Sequence, residues 1–115
     1  MKRRITWLLS AAMFLNPLIL HGERLAMRVT PAFSSGDVYI YVSIERRAEN
    51  RALSVTAESD GFFGRSTVQL EGERSSRVKT FHFGHLPAGT YDIVAELIDS
   101  TGKTTDVTHY ALMMG

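Results

Sequence analysis

The residues in this 115-residue chain whose types and spacing could do chemistry are few. His82 and His85 form the one close histidine pair. On a regular strand an offset of three sends the two rings to opposite faces, so shared metal ligation would need a bulge, for which Gly84 is the suited residue. Without that bulge, His82 is a solvated strand residue and His85 a turn residue. Asp37, Asp60-Gly61 and Asp99 stand at expected strand ends, but they lack the dense run of oxygen ligands that calcium needs and read as turn formers. The chain has no Gly-x-Ser-x-Gly, no phosphate-binding glycine loop and no His-Glu-x-x-His. It also has no cysteine, which removes thiolate metal sites, disulfides and a cysteine nucleophile. The expectation is a protein that is not an enzyme and carries no cofactor and no metal.

Residues suited to binding are easier to find. Tyr39 and Tyr41 alternate with Val38, Ile40 and Val42, so both tyrosines belong to the face opposite the apolar one. Amphipathic rings on a rigid strand suit contact with a protein or a sugar, and they equally suit cross-strand pairs that cover a neighbouring strand. Phe62-Phe63, bracketed by Gly61 and Gly64, reads as a loop in which one ring caps the core and the other anchors a partner. Arg46, Arg47 and Arg51, and likewise Arg74, Arg77 and Lys79, are interleaved with Glu45, Glu49, Glu71 and Glu73. Such mixed runs are solvated loops, and no nucleic-acid partner is expected.

The elements that must hold these residues are strands. Val38 to Ile44, Leu53 to Ala57, Val68 to Leu70, Phe81 to Phe83 and Tyr91 to Leu97 each alternate apolar with polar residues. A last run from Val107 to Met114 is mixed on both faces, and an edge strand is expected at Met27 to Thr30, closed by Pro31. Turn-forming residues separate the runs at Ser34 to Asp37, Ala48 to Asn50, Asp60-Gly61, Glu71 to Glu73, Pro87 to Gly89 and Ser100 to Gly102. Seven short strands without helical periodicity predict an all-β, seven-stranded antiparallel β-sandwich. Its core should hold Val38, Ile40, Val42, Leu53, Val55, Leu70, Phe81, Phe83, Ile93, Ala95 and Leu97.

The net charge of +1 is unevenly placed. Lys2, Arg3, Arg4 and Arg24 against Glu23 put +3 into residues 1–26, which leaves −2 for residues 27–115. Lys2-Arg3-Arg4 precedes an apolar run from Ile5 to Leu20, the layout of a secretory signal peptide. As a helix that run would span about 24 Å, short of the roughly 30 Å hydrocarbon layer. Cleavage is expected near residues 22–26, after Leu20-His21-Gly22 or Arg24-Leu25-Ala26; the alternative is an uncleaved membrane anchor with its basic end in the cytoplasm. Residues 1–26 are therefore read as leader or anchor, and residues 27–115 as one secreted or periplasmic domain.

Leu86-Pro87-Ala88-Gly89-Thr90-Tyr91 resembles the entry to the sixth strand of immunoglobulin-like and fibronectin type III-like domains. In those domains a leucine, a turn and a tyrosine form a tyrosine corner. The resemblance implies that Leu86, Gly89 and Tyr91 are structural, with the Tyr91 hydroxyl bonded to backbone a few residues upstream. Tyr91 to Lys103 is similar to the end of bacterial extracellular immunoglobulin-like and PKD-type domains, where an aspartate and a glycine shape the last hairpin. The resemblance implies a small exported module that binds a protein or glycan or serves a structural role. An alternative is a subunit that pairs through an edge strand, Val107 to Met114 being long, mostly uncharged and terminal.

Overall fold

The computed structural model describes residues 24–115; of the expected leader or anchor at residues 1–26, residues 1–23 lie outside the described residues, and Leu25 and Ala26 belong to the first strand. Seven strands follow in order: β1 (Leu25–Ala32), β2 (Asp37–Ile44), β3 (Asn50–Ser59), β4 (Phe62–Gln69), β5 (Val78–Phe83), β6 (Gly89–Asp99) and β7 (Thr104–Met114). A single 3₁₀ turn at Gly72–Arg74 is the only helical segment among the described residues. The strands make two antiparallel sheets, one ordered β1-β2-β5 and the other β4-β3-β6-β7. The described residues are thus all-β, as the period-two alternation predicted.

Alternation also decides what is buried. In β2, Val38, Ile40, Val42 and Ile44 are buried, whereas Tyr39 and Ser43 are exposed. Leu53, Val55 and Ala57 of β3 and Ile93, Ala95 and Leu97 of β6 are fully buried from the other sheet. Side chains of both sheets join in one apolar cluster, which draws in Leu25, Leu86, Leu112 and Met114 as well. Every expected core residue lies in it except Phe83, which is half-buried and packs against its margin.

Three local differences have physical causes. The first strand runs two residues further than expected at each end and takes in Pro31, which pairs with Val38. Proline is tolerated there because β1 is an edge strand and no ladder is broken on its outer side. Phe62-Phe63 opens β4 instead of lying in a loop, because the turn is only Asp60-Gly61. In β7 the register with β6 settles the ambiguous faces: Thr108, Tyr110, Leu112 and Met114 oppose the core-facing residues of β6.

Two turns fix the ends of the sandwich. Asp99 Oδ1 accepts hydrogen bonds from the Thr101 amide at 2.9 Å, the Thr101 hydroxyl at 2.7 Å and the Lys103 amide at 3.1 Å, which shapes the β6–β7 hairpin. At the other end, Gly36 has φ +77° and its carbonyl accepts the Leu86 amide at 2.9 Å. A Cβ at Gly36 would stand 3.2 Å from Leu86 backbone atoms, so both the dihedral and the space require glycine.

Candidate functional site

The outer face of the three-stranded sheet gathers the aromatic and basic side chains. Since β2 buries its even-numbered residues, Tyr39 and Tyr41 are turned outward in the centre of that sheet. The register then supplies their neighbours. Tyr39 lies between Thr30 of β1 and His82 of β5, and Tyr41 lies between Arg28 and Thr80.

These neighbours touch. The Tyr39 and His82 rings stack with centroids 4.8 Å apart and planes within 15°. The Arg28 guanidinium carbon sits 4.5 Å from the centre of the Tyr41 ring, a cation–π contact. Beside Tyr41 an open hollow of about 220 Å³ is lined by Ala26, Met27, Arg28, Ser43 and Val78. Val78 leaves about half its surface exposed at the rim of this hollow. The face thus combines ring surfaces, a guanidinium, hydroxyls and an apolar rim on a hydrogen-bonded strand framework.

Asp37 adds a negative charge at the edge of this face. Its Oδ1 lies 3.0 Å from His82 Nε2, and its carboxyl is held below the ordinary value of 3.8, first by the Ser35 side chain and then by His82. Two other carboxyls are lowered in the same direction: Asp99 chiefly by the Thr101 hydroxyl, and Glu49 chiefly by Arg47. Each binds fewer protons in the folded chain than in the unfolded one. Their contribution to stability is therefore complete above the ordinary values of 3.8 and 4.5, and disappears as pH falls through the lower folded values. Urea midpoints should hold between pH 7 and 5 and fall below about pH 4.5. Asp37→Asn with Asp99→Asn should flatten that fall, and an unchanged acid slope in this variant would contradict the assignment.

The other expected site residues are placed elsewhere. Phe62 is half-buried and meets Tyr91 edge-on with ring centroids 5.9 Å apart. Phe63 is 62% exposed and opposes Glu58, on the outer side of the four-stranded sheet. It therefore does not share a face with Tyr39 and Tyr41. Leu86 and Tyr91 are buried, Gly89 opens β6, and the Tyr91 hydroxyl donates to the Pro87 carbonyl at 2.7 Å. His85 stands in the β5–β6 loop at φ 58°, away from the strand that carries His82. Among the described residues no three histidine or carboxylate side chains are grouped to hold a metal.

Arg28 is the residue of this face that sequence reasoning passed over, and His82 is the one it treated as merely solvated. Alternation around Met27 and Val29 marks Arg28 as outward-facing. Its pairing with Tyr41 depends on the β1–β2 register, which a single run of residues does not carry. In the basic clusters Arg47 is paired locally with Glu49 at 2.9 Å and Glu45 at 3.4 Å, Arg74 lies 3.9 Å from Glu71, and Lys79 belongs to β5 on the side opposite the tyrosine face. No protein-family model matches this chain, and no curated protein matches it in sequence.

Proposed function

We propose that the chain is a small exported immunoglobulin-like module, not an enzyme, that binds a protein or glycan partner through the outer face of its three-stranded sheet. The observation that carries this reading is the cluster Arg28, Tyr39, Tyr41 and His82, held on three paired strands in cation–π and stacking contacts. Tyrosine and arginine are enriched in binding hot spots: tyrosine offers wide contact area with two rotors to immobilise, and arginine offers a planar guanidinium with several donors that also stacks on rings. The His82 stack on Tyr39 and the Arg28 contact on Tyr41 orient the two rings before a partner arrives.

Two features support the immunoglobulin-like reading. A sixth strand entered through Leu86-Pro87-Ala88-Gly89 with the Tyr91 hydroxyl on the Pro87 carbonyl is the bond a corner tyrosine makes. The pairing of the second strand with the fifth, and of the third with the sixth, joins the hairpins across two sheets as in that architecture. The fourth strand lies beside the third, whereas the constant-type immunoglobulin arrangement puts it on the other sheet. This favours the fibronectin type III-like variant. Export rests on Lys2-Arg3-Arg4 and the apolar run behind it, and places the module at the cell surface or in the periplasm. Of the two cleavage positions, the one after Gly22 is compatible with this fold, since the one after Ala26 would remove Leu25 from the core.

The test is the Tyr39→Ala/Tyr41→Ala variant against a panel of surface glycans and exported proteins. Both rings face outward, so the variant should stay folded, with a melting temperature lowered by several degrees, each lost cross-strand pair costing about 0.2–1 kcal/mol. Binding should fall by about thirtyfold or more, the loss of a hot spot. A variant that folds and binds as the parent does would overturn the assignment of this face.

A further inference from the structure

We propose that two copies of this chain join through β4, edge to edge and antiparallel, so that their four-stranded sheets become one. The starting point is a comparison of the four edge strands, β1 and β5 of one sheet and β4 and β7 of the other. Edge strands invite pairing unless something blunts them. β1 carries Pro31 and runs beside β7 where the sheets meet, tied there by the Arg24 amide on Asp106 Oδ2 at 2.7 Å. This contact occupies the side of β7 to which a terminal-strand partner would add. β5 is six residues long, and Lys79 opposes the buried Val42, an inward-facing charge of the kind that discourages pairing.

β4 has none of these devices. It is eight residues long, without proline, and its core-side residues are Phe62, Gly64, Ser66 and Val68, all uncharged. The Leu70 amide donates to the Arg51 carbonyl at 2.9 Å. Antiparallel alternation then turns the backbone groups of Phe62, Gly64, Ser66 and Val68 toward β3, and those of Phe63, Arg65, Thr67 and Gln69 toward the empty side. No other strand among the described residues pairs with that side.

The sequence of β4 is complementary to itself. With the twofold axis at Ser66, Phe63 opposes Gln69 of the second copy and Arg65 opposes Thr67, so all four outward residues find backbone partners without a like-charge contact. On the core side, Val68 of one copy opposes Gly64 of the other, and beside that glycine the valine meets the apolar Phe62 and Phe83 rings that cover it. Moving the axis to Arg65 sets the two guanidinium groups against each other and leaves one residue pair fewer. Moving it to Thr67 also loses a pair and sets Phe63 against Glu71. Sheet continuation of this kind covers little apolar surface, so association should be weak and concentration-dependent. It leaves the outer face of each three-stranded sheet uncovered, and the dimer would present two copies of it.

Because the chain has no cysteine, the register can be tested with one thiol. Ser66→Cys in the full chain puts two thiols opposite each other in a non-hydrogen-bonded pair, with Cα atoms about 4.5 Å apart, inside the range a disulfide spans. Mild oxidation should convert most of this variant to a linked dimer, while Gln69→Cys should link several-fold less. Thr67→Pro removes an amide that faces the empty side and keeps the backbone bonds to β3, losing only the Thr67 hydroxyl bond to Ser54 at 3.2 Å. Light scattering across a hundredfold concentration range should show the parent dimerising and Thr67→Pro remaining monomeric and folded, while Thr67→Val, which loses the same hydroxyl but keeps the amide, still dimerises. A parent that stays monomeric, a dimer that survives Thr67→Pro, or Ser66→Cys linking to a different polypeptide instead of itself would overturn the proposal.

Discussion

Truncating Phe81 to alanine is expected to lower the unfolding free energy by about 3–5 kcal/mol. Phe81 is 3% exposed and pairs with Ile40 at the centre of the three-stranded sheet, so its ring fills space between the sheets that neighbouring strands cannot close. Phe83, two residues on, points to the same side but stands at the margin, where it is half-buried near Gly64. Phe83→Ala should cost about 1–2 kcal/mol, in proportion to the smaller area it takes from water. Urea denaturation of the two variants, at matched slope, measures the difference directly. Equal losses, or a larger loss for Phe83, would mean that the core is centred elsewhere.

The second large effect concerns the start of the domain. A chain that begins at Met27 should be less stable than one that begins at Glu23 by about 2–5 kcal/mol, the cost of emptying a leucine site. Leu25 is 2% exposed and pairs with Ile44 at the start of β1. Arg24 contributes backbone bonds on both sides, accepting from the Glu45 amide at 2.9 Å and donating to Asp106 at 2.7 Å. A loss of this size is a large fraction of the stability of a small domain. If the two chains unfold at the same denaturant concentration, β1 begins at Met27 in solution and Leu25 is dispensable.

The strands that can be read from sequence are those whose two faces differ in polarity. β2, β3 and β6 alternate Val, Ile and Leu with polar residues, and their buried sides were legible before any pairing was known. β4 was legible only in its second half, because Gly64 and Ser66 occupy its core-side positions and leave no apolar period. The structure explains why small residues suit that side: a Cβ at Gly64 would come within 3.1–3.2 Å of the Phe62 and Phe83 rings. Local spacing could not separate Phe83 from Phe81, since burial at the margin depends on which strands lie across the core.

The candidate face was legible in part for a related reason. That Tyr39 and Tyr41 share a side follows from their spacing of two. That His82 stacks on one and Arg28 covers the other follows from the register of β2 with β5 and β1, a relation between residues more than a dozen positions apart. The separation of Phe63 from this face likewise depends on β4 belonging to the other sheet.

The most direct measurement of the binding reading is the pattern of backbone amide shifts as a bound glycan or exported protein is titrated into the isotope-labelled chain. Shifts should concentrate on Arg28, Thr30, Tyr39, Tyr41, Thr80 and His82, on three strands far apart in sequence but adjacent in one sheet. Shifts confined to the outer side of the four-stranded sheet, or to the loops at either end, would contradict it.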